Sequence, residues 1–91
     1  MTWTIEYAES AAKALRKLDP AARKRIRDLL EVRIAGSDDP RPFGKALSGP
    51  LAEYWRYRVG DCGIICEIRD RKVVILVLKI GNRRDVYRRQ S

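Results

Sequence analysis

The stretch Tyr54-Trp55-Arg56-Tyr57-Arg58-Val59-Gly60-Asp61-Cys62-Gly63-Ile64-Ile65-Cys66-Glu67-Ile68 decides the fold, together with Val73-Val74-Ile75-Leu76-Val77-Leu78 just beyond it. Its period is two. Tyr54, Arg56 and Arg58 point one way, and Trp55, Tyr57 and Val59 the other, which is the signature of a half-buried strand. Gly60-Asp61 is a tight-turn pair. A second strand is expected over 63–69, with Ile64, Cys66 and Ile68 on one face. Asp70-Arg71 turns the chain again, and residues 72–80 form the most apolar strand, whose near-continuous pattern marks it as central. Three consecutive strands joined by short turns make an antiparallel meander.

Upstream the period differs. Trp3, Ile5 and Tyr7 alternate with Thr2, Thr4 and Glu6, predicting one more strand. Ser10 is placed to cap a short helix over 10–18, with Ala11, Ala12, Leu15 and Leu18 inward. Asp19-Pro20 starts a second helix, because Asp caps and Pro suits the first helical position. That helix is expected over 20–35, with Ala22, Ile26, Leu29, Leu30 and Ile34 as its apolar face, and Gly36 ends it. Residues 36–53 read as loop, and 82–89 as a basic tail or short helix. The fold class is therefore α+β: an N-terminal strand and a helical hairpin packed on a curved antiparallel sheet. The 91 residues suit one domain, 1–91.

Composition narrows the function. Lys and Arg total 20 against 12 Asp and Glu, for a formal charge of +8. So positive a small chain suits a polyanion, with nucleic acid first and an acidic protein second. Arg fills most of the basic positions, and its planar fork matches phosphate. With apolar residues at 45% the chain is no disordered tail. The longest apolar run, Val73 to Leu78, falls far short of the ~20 residues that span a bilayer. No signal-peptide pattern opens the sequence, so the cytoplasm is expected. Cys62 and Cys66 on one strand would lie ~13 Å apart, beyond the ~7 Å of a disulfide, and are expected as small apolar residues.

There is no histidine, which excludes Ser-His-Asp and Cys-His catalysis. No Gly-rich phosphate loop and no carboxylate pair of metal-binding type stand out. The sheet face away from the helices is the place left for chemistry. It would present Tyr54, Arg56 and Arg58, with Lys79, Arg83, Arg84 and Tyr87 near the end of the last strand and Lys45 just before the meander. Cations mixed with aromatics hold single-stranded RNA by phosphate contact and base stacking. A solvated sheet exterior accounts equally well for Arg56 and Arg58 taken alone. Trp55 and Tyr57 are expected in the core. RNA cleavage suits such residues, since the 2′-hydroxyl of the substrate is the nucleophile. The protein needs only to orient it, stabilise the phosphorane and assist proton transfer.

Lys45-Ala46-Leu47-Ser48-Gly49-Pro50-Leu51-Ala52-Glu53-Tyr54-Trp55-Arg56-Tyr57-Arg58-Val59-Gly60-Asp61, Ile64-Ile65-Cys66-Glu67-Ile68 and Gly81-Asn82-Arg83-Arg84-Asp85-Val86-Tyr87 occur here in order. With Trp3-Thr4-Ile5-Glu6-Tyr7 and Leu15-Arg16-Lys17-Leu18-Asp19-Pro20, they make the chain resemble the RelE/ParE toxin superfamily over nearly its whole length. The resemblance implies the toxin of a type II toxin–antitoxin system. On the RelE branch, which the Arg-Arg-Asp-Val-Tyr ending resembles, it implies a ribosome-dependent mRNA endonuclease working by 2′-hydroxyl attack without metal or other cofactor. It implies an acidic antitoxin as partner, with operator DNA bound only through that antitoxin, and the ribosome and mRNA as targets. Arg56 would be a phosphate or proton-transfer group, Arg83 a phosphate and transition-state contact, and Tyr87 a stacking or orienting residue. Lys45, Tyr54, Arg58, Lys79 and Arg84 would contact RNA.

Two departures bear on activity. Gly63 stands where RelE members commonly carry a catalytic arginine, and Asn82 where many carry histidine. Loss of one such charge contact costs about 2.7–4 kcal/mol of transition-state stabilisation. The resemblance therefore leaves three readings: a weakened nuclease, a ParE-like gyrase inhibitor, or a non-catalytic antitoxin-binding homologue.

Overall fold

The computed structural model describes residues 2–49 and 53–82. Strand β1 (Thr4–Tyr7) leads into helix α1 (Glu9–Lys17) and helix α2 (Pro20–Arg27). A wider π-helical segment, Asp28–Ile34, prolongs α2. After a 3-10 turn at Arg41–Phe43 come β2 (Lys45–Ala46), β3 (Tyr54–Val59), β4 (Cys62–Arg69) and β5 (Val74–Asn82). The five strands form one sheet in the order β1-β5-β4-β3-β2.

The expected meander is β3-β4-β5, antiparallel throughout. The sheet as a whole is mixed, because β1 runs parallel to β5, pairing Thr4 with Val74 and Tyr7 with Val77. A parallel neighbour needs a long return connection, and everything from α1 to β4 supplies it. Strand β5 is interior, as its apolar pattern requires, although β4 is the middle strand.

Two local expectations change. Helix α1 begins at Glu9 with Ala8 at its N-cap, so Ser10 lies inside the first turn. Its hydroxyl donates instead to the Leu78 carbonyl at 3.3 Å. Asp19 does cap α2, accepting from the Ala22 N–H at 3.4 Å, with Pro20 behind it. The expected continuous helix over 20–35 widens after Arg27, and the Ala35 N–H donates to the Leu30 carbonyl, five residues back.

The apolar stripes meet the sheet where alternation placed them. Ala11 and Leu15 of α1, and Ile26, Leu30 and Ile34 beyond, pack on Tyr57, Ile64, Cys66, Ile75, Val77 and Ile80. Each fully buried Leu or Ile contributes about 1.5–3 kcal/mol. Cys62 and Cys66 both face this core as free thiols.

One irregularity decides which side chains face away. Ile65 pairs with Lys79, yet Cys66 pairs with Val77, so Leu78 is an extra residue in β5. This β-bulge shifts the phase of the strand. Before it Ile75 and Val77 face the helices; after it Ile80 does, and Lys79 is turned to the opposite face.

Candidate nucleic-acid interface

Cross-strand partners share a face, so the register lays the open face out in rows. One row runs Lys45 (β2), Arg56 (β3), Ile65 (β4), Lys79 (β5). Strands lie ~4.8 Å apart. Three cations are thus set across four strands, with the buried Ile65 between Arg56 and Lys79. The next row is Arg58, Gly63, Gly81. Arg58 is exposed, and neither neighbour across the sheet carries a side chain. Arg56 and Arg58 repeat at ~6.6 Å along β3.

The third row has a different character. Tyr54 pairs with Glu67, Glu67 with Leu76, and Leu76 with Glu6. Glu67 is in an ion pair with Arg69 at 3.0 Å. Tyr54 therefore shares the face but sits in the row that carries carboxylates, away from the Arg58 end. The structure brings together Lys45, Arg56, Arg58 and Lys79. Arg83, Arg84 and Tyr87, and the expected tail over 82–89 beyond Asn82, lie outside the described residues.

An open depression of about 300 Å³ lies at the Arg58 end, lined by Pro42, Phe43, Gly44, Lys45, Arg56 and Arg58. Its rim is the loop before β2, and that loop is firmly anchored. The Tyr57 hydroxyl donates to the Pro40 carbonyl at 3.0 Å. Arg41 bonds Asp70 at 2.7 Å and Asp39 at 3.2 Å, and its guanidinium stands 5.9 Å from the Trp55 ring. Gly44 is required for the close approach: a Cβ there would lie 2.4 Å from the Arg56 carbonyl and 2.8 Å from the Tyr57 ring.

Burial raises the Tyr57 hydroxyl and the Cys66 thiol well above their ordinary ranges, so neither serves as a base at neutral pH. Among the described residues no cluster of three or more carboxylate, thiol or imidazole groups could hold a metal ion. No helix among them is long and apolar enough to cross a membrane. The remaining chemistry is cationic: several guanidinium and ammonium groups aimed at one side of a rigid sheet, an arrangement suited to phosphates.

Sequence reasoning missed Phe43 and Arg33. Phe43 is the sole phenylalanine of the chain and is 37% exposed, with the Arg33 guanidinium 5.8 Å from its ring. An aromatic between Pro42 and Gly44 in a polar loop was the available signal.

Comparison with known proteins places the chain. The family model for the ParE toxin of the type II toxin–antitoxin system parDE matches residues 5–87. The chain belongs to this toxin family. The toxin is 28% identical to toxin RelG of Mycobacterium tuberculosis (strain ATCC 25618 / H37Rv) over 92 residues, covering 98% of this chain and all of the relative. Its fold matches the toxin–antitoxin complex RelBE2 of M. tuberculosis with a TM-score of 0.81 at 21% identity, over 90% of this chain and 92% of the other. It also matches an arginine-to-alanine mutant of E. coli toxin RelE in the free state, with a TM-score of 0.76 at 23% identity, over 97% and 93% of the two chains. The archaeal RelE–RelB complex from Pyrococcus horikoshii OT3 matches at 28% identity and a TM-score of 0.63, over 91% and 97%. The family model carries the ParE name and the relatives carry RelE-type names, so the toxin is placed in the RelE/ParE superfamily.

Proposed function

We propose that this toxin is an mRNA endonuclease that acts on the translating ribosome. The observation that carries the reading is the row Lys45–Arg56–Lys79 with Arg58 beside it, on the sheet face that no helix among the described residues covers. The 2′-hydroxyl of a ribose attacks the adjacent phosphorus, and the P–O5′ bond breaks. The products are a 2′,3′-cyclic phosphate and a free 5′-hydroxyl; the proton lost from the 2′-oxygen is balanced by one delivered to the 5′-oxygen. Arg56 acts at the phosphate, neutralising charge that grows in the phosphorane. Lys45, Arg58 and Lys79 hold the flanking phosphates. Arg83 and Tyr87 complete the constellation as transition-state and stacking groups, and Arg84 is a further backbone contact. A short acidic antitoxin covers this face and neutralises the toxin, and operator DNA is reached only through it. The place of action is the cytoplasm.

Glycine at 63 leaves Arg58 as the one guanidinium in its row among the described residues, which favours slow cleavage. The same glycine and the ParE family model favour a second reading, gyrase inhibition without RNA cleavage. The experiment is incubation of purified toxin with ribosomes programmed with a defined mRNA, mapping fragment ends, beside a gyrase supercoiling assay. Discrete cuts ending in cyclic phosphate, with supercoiling unaffected, are expected. Intact mRNA with blocked supercoiling would transfer the assignment to gyrase.

A further inference from the structure

We propose that Phe43, backed by Arg33, is a nucleobase-stacking platform joined to the phosphate-binding row. The inference rests on the RNA-directed reading above and names the part of the substrate that the depression beside β3 receives. Phe43 follows Pro42 in the 3-10 turn and is the aromatic wall of a depression whose other side chains include Lys45, Arg56 and Arg58. A large apolar ring is left 37% exposed there, beside three cations. An aromatic surface next to cations at phosphate spacing is what a single-stranded nucleotide requires, since the base stacks while its phosphate is held.

Three features make the ring a fixed platform. Arg33, projecting from the π-helical segment, lies against the ring at 5.8 Å, within cation–π range. Gly44 lets the loop press onto β3, where any Cβ would collide with the Arg56 carbonyl. Pro40 and Arg41, just upstream, are tied to Tyr57 and Asp70. The aromatic is therefore held in place before any ligand arrives, which lowers the entropic cost of stacking. Arg58 lines both this depression and a second one, of about 320 Å³, that also contains Arg33, so the positive surface continues around the edge of β3.

The test uses a short single-stranded RNA whose riboses all carry 2′-methoxy groups, so that it cannot be cut, with 2-aminopurine at successive positions. Wild-type toxin should bind it at low salt and quench the fluorescence at one position. Phe43→Tyr should retain affinity and quenching. Phe43→Leu and Phe43→Ala should bind about 5- to 50-fold more weakly and lose the quenching, on the scale of one base–aromatic stack. Wild-type affinity and quenching in Phe43→Leu would overturn the platform while leaving the RNA reading intact. Failure of the wild-type toxin to bind the oligonucleotide would overturn the RNA reading and the platform with it.

Discussion

Arg58 on β3 lies directly across from Gly63 on β4, and Gly63 in turn from Gly81 on β5. A guanidinium therefore borders a strip of sheet with no side chains of its own. Gly63 is buried, so the side chain of Gly63→Arg must rise past what covers the glycine before it sets a second guanidinium opposite Arg58, on the face that carries Arg56. Cleavage of ribosome-bound mRNA is expected to rise by about 100-fold or more, the worth of one transition-state charge contact. Single-turnover rates for the two proteins check this. Equal rates, in a variant whose urea midpoint matches that of the wild type, would show that the glycine is not what limits the chemistry.

Gly44→Ala should destabilise the fold without touching a cation. The new Cβ meets backbone at the Arg56 carbonyl and the buried Tyr57 ring, neither of which yields easily. About 1–3 kcal/mol of overpacking strain is expected, read as a lowered midpoint in urea with an unchanged slope. Phe43→Leu, at an exposed ring, should leave the unfolding free energy within about 0.5 kcal/mol of the wild type.

The meander was legible because three signals agreed: alternation at Tyr54–Val59, the Gly60-Asp61 turn, and the apolar run in β5. Gly60 adopts a φ of 56°, a left-handed conformation that glycine takes without a Cβ penalty. The helical stripe Ile26, Leu30, Ile34 was legible for the same reason, since spacing and burial coincide. The parallel partnership of β1 with β5 was not, because local pattern carries no information about a pairing some 70 residues apart. Nor was the bulge at Leu78. Strict alternation would have set Lys79 with Ile75 and Val77 against the helices, and only the extra residue brings it onto the face and into the row of Arg56. Two-residue β2 is too short to show a period, and the widening of α2 after Arg27 leaves no trace in composition. Lys45, Arg56, Arg58 and Lys79, which the register gathers on one face, were picked out from the residues and the resemblance together. Phe43 was passed over because a lone aromatic in a loop has no periodic context.

Ionic strength should separate backbone contacts from base contacts. Affinity for single-stranded RNA should fall with salt, by a logarithmic slope of about 0.7 per phosphate neutralised. Lys45→Ala, at an exposed position in the basic row, should lower that slope by about 0.7 and weaken binding alike for different sequences. An unchanged slope measured by anisotropy across a salt series would remove Lys45 from the interface.

Stability should decline in alkali. Burial raises the Tyr57 hydroxyl and the Cys66 thiol above their unfolded values. The folded state then holds protons that the unfolded chain releases, so this stability is complete below the unfolded values and is lost as pH rises above about 9. Thermal midpoints should fall from there upward, and Cys66→Ala should flatten the first part of the fall. At neutral pH the folded protein should leave Cys66 unreactive toward a thiol reagent while the half-buried Cys62 reacts slowly.

The most direct measurement compares two arginines of equal charge on opposite sides of the molecule. Arg56 is in the basic row, and Arg16 is exposed in the last turn of α1. Affinity for one single-stranded RNA at fixed low salt is measured for Arg56→Ala and Arg16→Ala. Binding at least tenfold weaker for Arg56→Ala, with Arg16→Ala close to wild type, is the expected result. Equal loss in both would mean that net charge alone attracts RNA, and would contradict a binding face on the open side of the sheet.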